Sequence, residues 1–207
     1  MNLTKKRESL RKVYQPVGVA LYRLHLPPNF ITLLSVALGM ASAYAFYHGR
    51  FLTAASLLLL SGLFDLADGM VARLSDRASK FGAVFDWLAD KWVDGFVLGT
   101  VGYIYAGPLT AITVVTASML HSFIKPVVYA EIGYEEKVKG KINDPLEGVG
   151  FFGRPETHIA LIIFTILERF NAPFGLEFGI KLIAVLTMAS LLLRILYLYK
   201  HYGREYE

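Results

Sequence analysis

The chain has 207 residues, 55% of them hydrophobic and only 18% charged, with a mean hydropathy of +0.46; soluble domains carry roughly 25% charged residues. Long apolar runs along its whole length make it an integral membrane protein, read as a single domain over 1–207, with no polar stretch long enough for a separate soluble one. The lack of cysteine excludes disulfides, thiolate ligands and a cysteine nucleophile, and the net charge of +4 favours an anionic leaflet or substrate over nucleic acid, because the basic residues flank apolar runs.

Residues 1–28 read as a cytoplasmic juxtamembrane segment without the apolar core or cleavage site of a signal peptide. Within it Leu10, Val13, Val17, Ala20 and Leu24 recur at helical spacing, with Arg11, Lys12 and Arg23 nearby. This predicts an amphipathic helix over 8–24 lying in the membrane surface. "LPPN" breaks it, and Asn29 is the expected N-cap of the next helix. Residues 29–200 are expected to form six transmembrane helices, over 30–48, 51–74, 79–106, 108–131, 155–171 and 177–199. The short connections "YHGR", "AGP" and "NAPFG" imply an antiparallel bundle; the one long connection is 132–154. The predicted fold class is thus an all-α, six-helix membrane bundle preceded by an amphipathic helix.

With the N-terminus in the cytoplasm, the inner segments carry fifteen Lys and Arg, and the outer side only Arg50, Arg169 and Lys181. Both termini, and the hairpin between spans 2 and 3, then face the cytoplasm of a cell-membrane protein.

That hairpin, "LFDLADGMVARLSDRASKFGAVFDWLADKWVDGF", holds six aspartates among apolar residues. Burying one unpaired carboxylate costs roughly several kcal/mol. Asp65 and Asp68 lie three apart and Asp86 and Asp90 four apart, so each pair shares a helix face, and the antiparallel spans bring the pairs to one depth. Four close carboxylates cannot all stay ionised without cations, and Arg73 and Lys91 are too few. A hard divalent ion meets the need: oxygen-only ligands select Mg²⁺, Mn²⁺ or Ca²⁺, and two ions suit four carboxylates. Such sites hold substrate phosphates. Gly69, Ala72 and Gly82 would let a ligand approach the backbone, and Arg73, one turn beyond Gly69, would grip phosphate. Taken singly, Asp76 reads as a solvated turn residue, and the small residues as helix packing.

Asp65-x-x-Asp68-Gly69-x-x-Ala72-Arg73, eight residues, Gly82-x-x-x-Asp86-x-x-x-Asp90 resembles the defining motif of the CDP-alcohol phosphatidyltransferase family at every fixed position. The surface helix, "PPNFITLLS" and the six-span topology extend the resemblance over most of the chain. It implies metal-dependent transfer of a substituted phosphate from a CDP-alcohol, here a CDP-lipid, to an acceptor hydroxyl, with release of CMP, in phospholipid biosynthesis. It further implies two Mg²⁺ or Mn²⁺ ions on Asp65, Asp68, Asp86 and Asp90, with Asp90 also the general base. Gly69, Ala72, Arg73 and Gly82 would hold the CDP part, and the protein would be a homodimer.

Asp94, one turn beyond Asp90, and "GFFGRPETH" resemble the inositol-phosphate-using branch, so inositol-1-phosphate is the expected acceptor and Arg154 the holder of its phosphate. That branch has an arginine pair late in span 4, where this chain offers Lys125 and then Pro126. Either Lys125 stands in for one arginine, or the acceptor differs: serine, glycerol phosphate or ethanolamine, or CDP-inositol serves as donor. The plain reading of Lys125 is a snorkelling lysine. His121 and His158 read as satisfied packing residues, Lys137, Lys139 and Lys141 as a lipid-facing basic loop, the tyrosines near 44–47 and 197–202 as interface belts, and Trp87 and Trp92 as helix packing or interface anchors. From another class, intramembrane acids also mark a divalent cation transporter. Against that, the acids cluster near one face and no polar relay continues through spans 4 to 6.

Overall fold

The computed structural model describes residues 7–131, 137–138, 141–142, 146 and 148–203, with side chains described from residue 14 onward outside 132–145 and 147. Most of the described residues are helical. The helices are α1 (Arg7–Arg23), α2 (Pro28–Tyr47), α3 (Phe51–Leu74), α4 (Lys80–Val101), α5 (Pro108–Glu131), α6 (Arg154–Arg169) and α7 (Leu176–Tyr202). Between α5 and α6, β1 (Lys137–Val138) and β2 (Lys141–Ile142) pair antiparallel. The side chains of the Lys137, Lys139 and Lys141 loop, and those of Leu10, Arg11, Lys12 and Val13, lie outside the described residues.

By length and composition, α2, α3, α5 and α7 are able to cross a membrane. Large apolar side chains on these helices point outward, Leu33, Leu59, Leu109, Ile112 and Leu196 among them. That suits hydrocarbon. Helix α4 carries Asp86, Asp90, Lys91 and Asp94, and α6 has only 16 residues. Tyr44, Tyr47, Tyr199 and Trp92 are exposed, as interface residues would be, whereas Trp87 packs edge-on against Phe123 of α5, ring centroids 5.2 Å apart.

The start of α2 departs from expectation. Pro27 is the N-cap and Pro28 the first helical residue. Proline is preorganised there and has no N–H to leave unpaired. Asn29 instead sits in the first turn, and its Oδ1 faces the backbone of Gly82.

Close contacts lock α2 onto α3 and α4. Ser35 Oγ donates to Ser61 O at 2.9 Å and Ser61 Oγ to Ser35 O at 2.8 Å, while Ser42 Oγ donates to Ala54 O at 2.8 Å. Small hydroxylated residues give this close approach between apolar helices. Gly39 lies under Val93 of α4, where an added Cβ would stand 2.6 Å from Val93 Cγ1. At the same end as the hairpin, Leu21 of α1, Ile31 of α2, and Ala67 and Val71 of α3 form a small buried cluster. It ties α1 to α2 and to α3, the helix that carries Asp65 and Asp68.

The turn between α3 and α4 is short. Asp76 adopts a left-handed φ of 53°, and Ser79 caps α4 by accepting from Gly82 N at 2.9 Å. At its far end α4 passes into one π-turn, Gly102–Ala106, where Gly102 lies against the Ala111 backbone.

Candidate active site

The hairpin brings carboxylates from two helices together. Oxygens of Asp65, on α3, and of Asp86 and Asp90, on α4, all lie within 4.8 Å of one another. Asp68 is set slightly apart. It is buried, and its Oδ2 accepts from Thr32 Oγ1 of α2 at 2.5 Å. Helical spacing accounts for both facts: Asp65 and Asp68 share a face, but a turn of rise separates them.

A cleft of about 220 Å³ opens beside Asp68 and Asp86. Thr32, Gly69, Ala72, Arg73, Arg77, Ser79 and Gly82 line it, so the small residues and the arginine singled out in the sequence all meet there. Gly69 and Gly82 are where the wall is thinnest. Arg73 Nη1 stands 3.5 Å from where a Cβ on Gly69 would be, and a Cβ on Gly82 would come within 3.1 Å of Ser79 Oγ and 3.3 Å of Asn29 Oδ1.

A second cavity, about 210 Å³, lies between α3 and α6 and is mostly apolar. Leu58, Leu59, Leu66, Ile159 and Ile162 form its walls, Tyr14 of α1 borders it, and Asp65, Arg154 and His158 form its polar end. Asp86 borders the first cavity and Asp65 the second. The two cavities therefore meet at the carboxylate cluster.

Arg154, the first residue of α6, reaches into that cluster. Its Nη1 lies 2.8 Å from Asp65 Oδ2 and 2.6 Å from Asp90 Oδ1, and its Nε donates to Asp94 Oδ1 at 3.1 Å. The contact with Asp90 is close but lacks hydrogen-bond alignment, so Asp90 Oδ1 is buried without a hydrogen bond; Arg154 Nη2, the other terminal nitrogen, is likewise buried without one. Asp94 also accepts from His158 Nε2 at 2.9 Å and pairs with Lys91 Nζ at 3.4 Å. Along the chain, Lys91 and Arg73 are the cations nearest the four aspartates. The fold adds Arg154 from across the bundle.

The donor set fits a hard divalent cation. It is carboxylate oxygen only, drawn from two helices, and one of its oxygens is buried without a hydrogen bond.

His121 and His158 are both satisfied. His121 Nε2 pairs with Ser190 Oγ of α7 at 3.1 Å. Lys125 is half-buried on α5, one turn beyond His121.

Arg194 was not singled out from the sequence. It is 4% exposed, and it donates to His121 O at 2.8 Å and to Val149 O at 3.1 Å. Ser190 Oγ also accepts from Phe151 N and Phe152 N at 3.2 and 3.3 Å. Gly150, with φ of 91°, fits beneath Ser190 and Arg194 where a side chain would collide. Together these contacts dock the segment that leads into Arg154. A lone arginine inside the apolar run "ASLLLRILYLYK" was the available signal.

Residues 25–201 match the CDP-alcohol phosphatidyltransferase family. The chain belongs to this family. It is 25% identical to the archaetidylinositol phosphate synthase of Methanothermobacter thermautotrophicus, over 96% of this chain and 94% of that protein. It is also 25% identical to the phosphatidylinositol phosphate synthase of Corynebacterium glutamicum, over 91% and 85%. Among solved structures it resembles Mycobacterium tuberculosis phosphatidylinositol phosphate synthase PgsA1 with CDP-DAG bound, at 25% identity and a TM-score of 0.73, over 95% of this chain and 98% of that one. PgsA1 in complex with manganese and citrate gives the same score.

The protein is thus a membrane enzyme that transfers a substituted phosphate from a CDP-alcohol to an acceptor hydroxyl and releases CMP, in a metal-dependent reaction. Family membership decides against the cation transporter.

Proposed function

We propose that this enzyme transfers the lipid phosphate of a CDP-lipid to inositol-1-phosphate. The observation that carries the acceptor is Arg154. Its guanidinium stands beside Asp90 and keeps one buried N–H group without a hydrogen bond, which suits a phosphate within reach of the base. A phosphorylated acceptor carries about two negative charges near neutral pH, and Lys125 would share them with Arg154. The relatives named as phosphatidylinositol phosphate and archaetidylinositol phosphate synthases support the same reading.

In this proposal Asp65, Asp68, Asp86 and Asp90 hold two Mg²⁺ or Mn²⁺ ions. When bound, the metal supplies charge stabilisation to the diphosphate and to the departing CMP. Gly69, Ala72, Arg73 and Gly82 hold the CDP part in the more polar cleft. The apolar cavity between α3 and α6 takes a hydrocarbon chain, acyl or isoprenoid, entering sideways from the bilayer. The scissile phosphate then lies where the two cavities meet. Asp90 takes the proton of the acceptor hydroxyl.

The whole chain acts as one domain of the cell membrane: 1–28 a juxtamembrane helix at the cytoplasmic surface, 29–200 a six-span bundle in which α4 and α6 also cross. Their charges face the bundle interior rather than lipid. Both termini and the site face the cytoplasm, and the enzyme is a homodimer.

An acceptor panel tests the proposal. Purified enzyme with CDP-lipid and Mg²⁺ or Mn²⁺ receives inositol-1-phosphate, inositol, serine, glycerol-3-phosphate or ethanolamine in separate reactions, and products are identified by mass. Inositol-1-phosphate should outperform free inositol, and Arg154→Ala should raise the acceptor KM far more than the CDP-lipid KM. Preference for an unphosphorylated alcohol would overturn the acceptor and leave the family chemistry standing.

A further inference from the structure

Asp94 lies outside the carboxylate group formed by Asp65, Asp86 and Asp90. It is also one of the most buried charges described, at 2% exposure. A buried carboxylate must be paired or it destabilises the fold. Here Asp94 is surrounded by three bases. Its Oδ1 receives both Arg154 Nε, at 3.1 Å, and His158 Nε2, at 2.9 Å, and its Oδ2 faces Lys91 Nζ at 3.4 Å. Both oxygens are committed to nitrogen donors, which does not describe a metal ligand. The contacts instead join α4 to the first two turns of α6, because Arg154 and His158 lie four residues apart on one face of that helix.

A guanidinium held at Nε cannot turn freely about its long axis. With that edge fixed, Arg154 presents Nη1 to Asp65 and Asp90, and Nη2 remains buried without a hydrogen bond. Arginine's planar fork makes such aim possible; a lysine would swivel. His158 helps in turn to fix Asp94.

We infer that Asp94, braced by His158, is a positioning residue that aims the Arg154 guanidinium at the phosphate of the acceptor, and that it binds neither metal nor substrate itself. The inference rests on the proposed role of Arg154.

The test compares wild-type enzyme with Asp94→Asn, Asp94→Glu, Arg154→Ala and the Asp94→Asn/Arg154→Ala double variant. CMP release is followed while inositol-1-phosphate and CDP-lipid are varied separately; Mn²⁺ binding is measured by calorimetry and thermal stability alongside. Asp94→Asn should raise the acceptor KM about tenfold, the worth of one charge-assisted hydrogen bond. CDP-lipid KM and Mn²⁺ affinity should stay within about twofold. Asp94→Glu should recover part of the loss. The double variant should be no worse than Arg154→Ala, because Asp94 has nothing left to aim.

If Arg154→Ala raises the acceptor KM and Asp94→Asn does not, the inference fails alone. It also fails if Asp94→Asn weakens Mn²⁺ binding tenfold, or raises both KM values and adds fully to Arg154→Ala. If Arg154→Ala leaves the acceptor KM unchanged, or inositol-1-phosphate is not turned over, the proposed acceptor reading falls and this inference with it. Should Asp94→Asn not fold, His158→Asn reads the same relationship: a rise of about threefold confined to the acceptor KM supports it, and no rise overturns it.

Discussion

Thr32 on α2 donates to Asp68 on α3 at 2.5 Å, so a carboxylate of the motif is aimed by a hydroxyl from a different helix. A hydrogen bond to a charged acceptor contributes about 1.5–3 kcal/mol. Thr32→Val keeps the shape and removes the donor. It should lower kcat/KM for CDP-lipid by about tenfold or more, while Thr32→Ser stays near wild type. Initial rates of CMP release decide; equal rates for Thr32→Val and wild type would leave the bond without a role.

Chelation should abolish CMP release, and Mg²⁺ or Mn²⁺ should restore it. Asp86 belongs to the carboxylate cluster and also borders the cleft lined by Gly69 and Gly82. Asp86→Asn should therefore weaken Mn²⁺ binding, read by calorimetry, and cost about a hundredfold or more in turnover, beyond the usual loss for a residue that merely supports a ligand. Full activity in excess chelator would refute the metal site.

Asp90→Asn separates base from ligand. Loss of a general base costs on the order of 10²–10⁴ in rate. Turnover should fall in that range while CDP-lipid binding, measured without acceptor, is largely kept, because Asp65, Asp68 and Asp86 still hold metal. Parallel collapse of binding and turnover would make Asp90 chiefly a ligand.

What could be read from the sequence followed from distance along the chain. Asp65 with Asp68, and Asp86 with Asp90, are neighbours on their own helices, so periodicity alone paired them, and a short turn joined the pairs. Of the six expected spans, the limits of α2, α3, α5 and α7 are legible because these helices are continuous apolar runs. Contacts between distant segments left no local trace. Thr32 and Asp68 are 36 residues apart, His158 and Asp94 are 64 apart, and Arg154 and Asp65 are 89 apart. Arg154 could be proposed from resemblance, but its hold on three aspartates could not. Asn29 misled because a good capping residue yielded to two prolines that start the helix earlier.

Gly39 tests the packing that holds this arrangement. A methyl added there would press into Val93. Gly39→Ala should destabilise the protein by about 1–3 kcal/mol, visible as a lower Tm in detergent, and Val93→Ala should recover most of that loss in the double variant. If the two effects simply add, the helices do not meet as closely as described.

The carboxylates of the motif all stand on α3 and α4, whereas Lys125, Arg154 and Arg194 stand on α5, α6 and α7. On the proposed assignment, the machinery that activates the nucleotide-linked lipid and the machinery that chooses its destination are encoded in consecutive halves of one chain. The halves pack along α4 with α5 and α3 with α6, and their charged groups meet where the head of α6 reaches the hairpin. A lineage could rewrite the second half to decorate its membrane with a different headgroup and leave the transfer chemistry untouched.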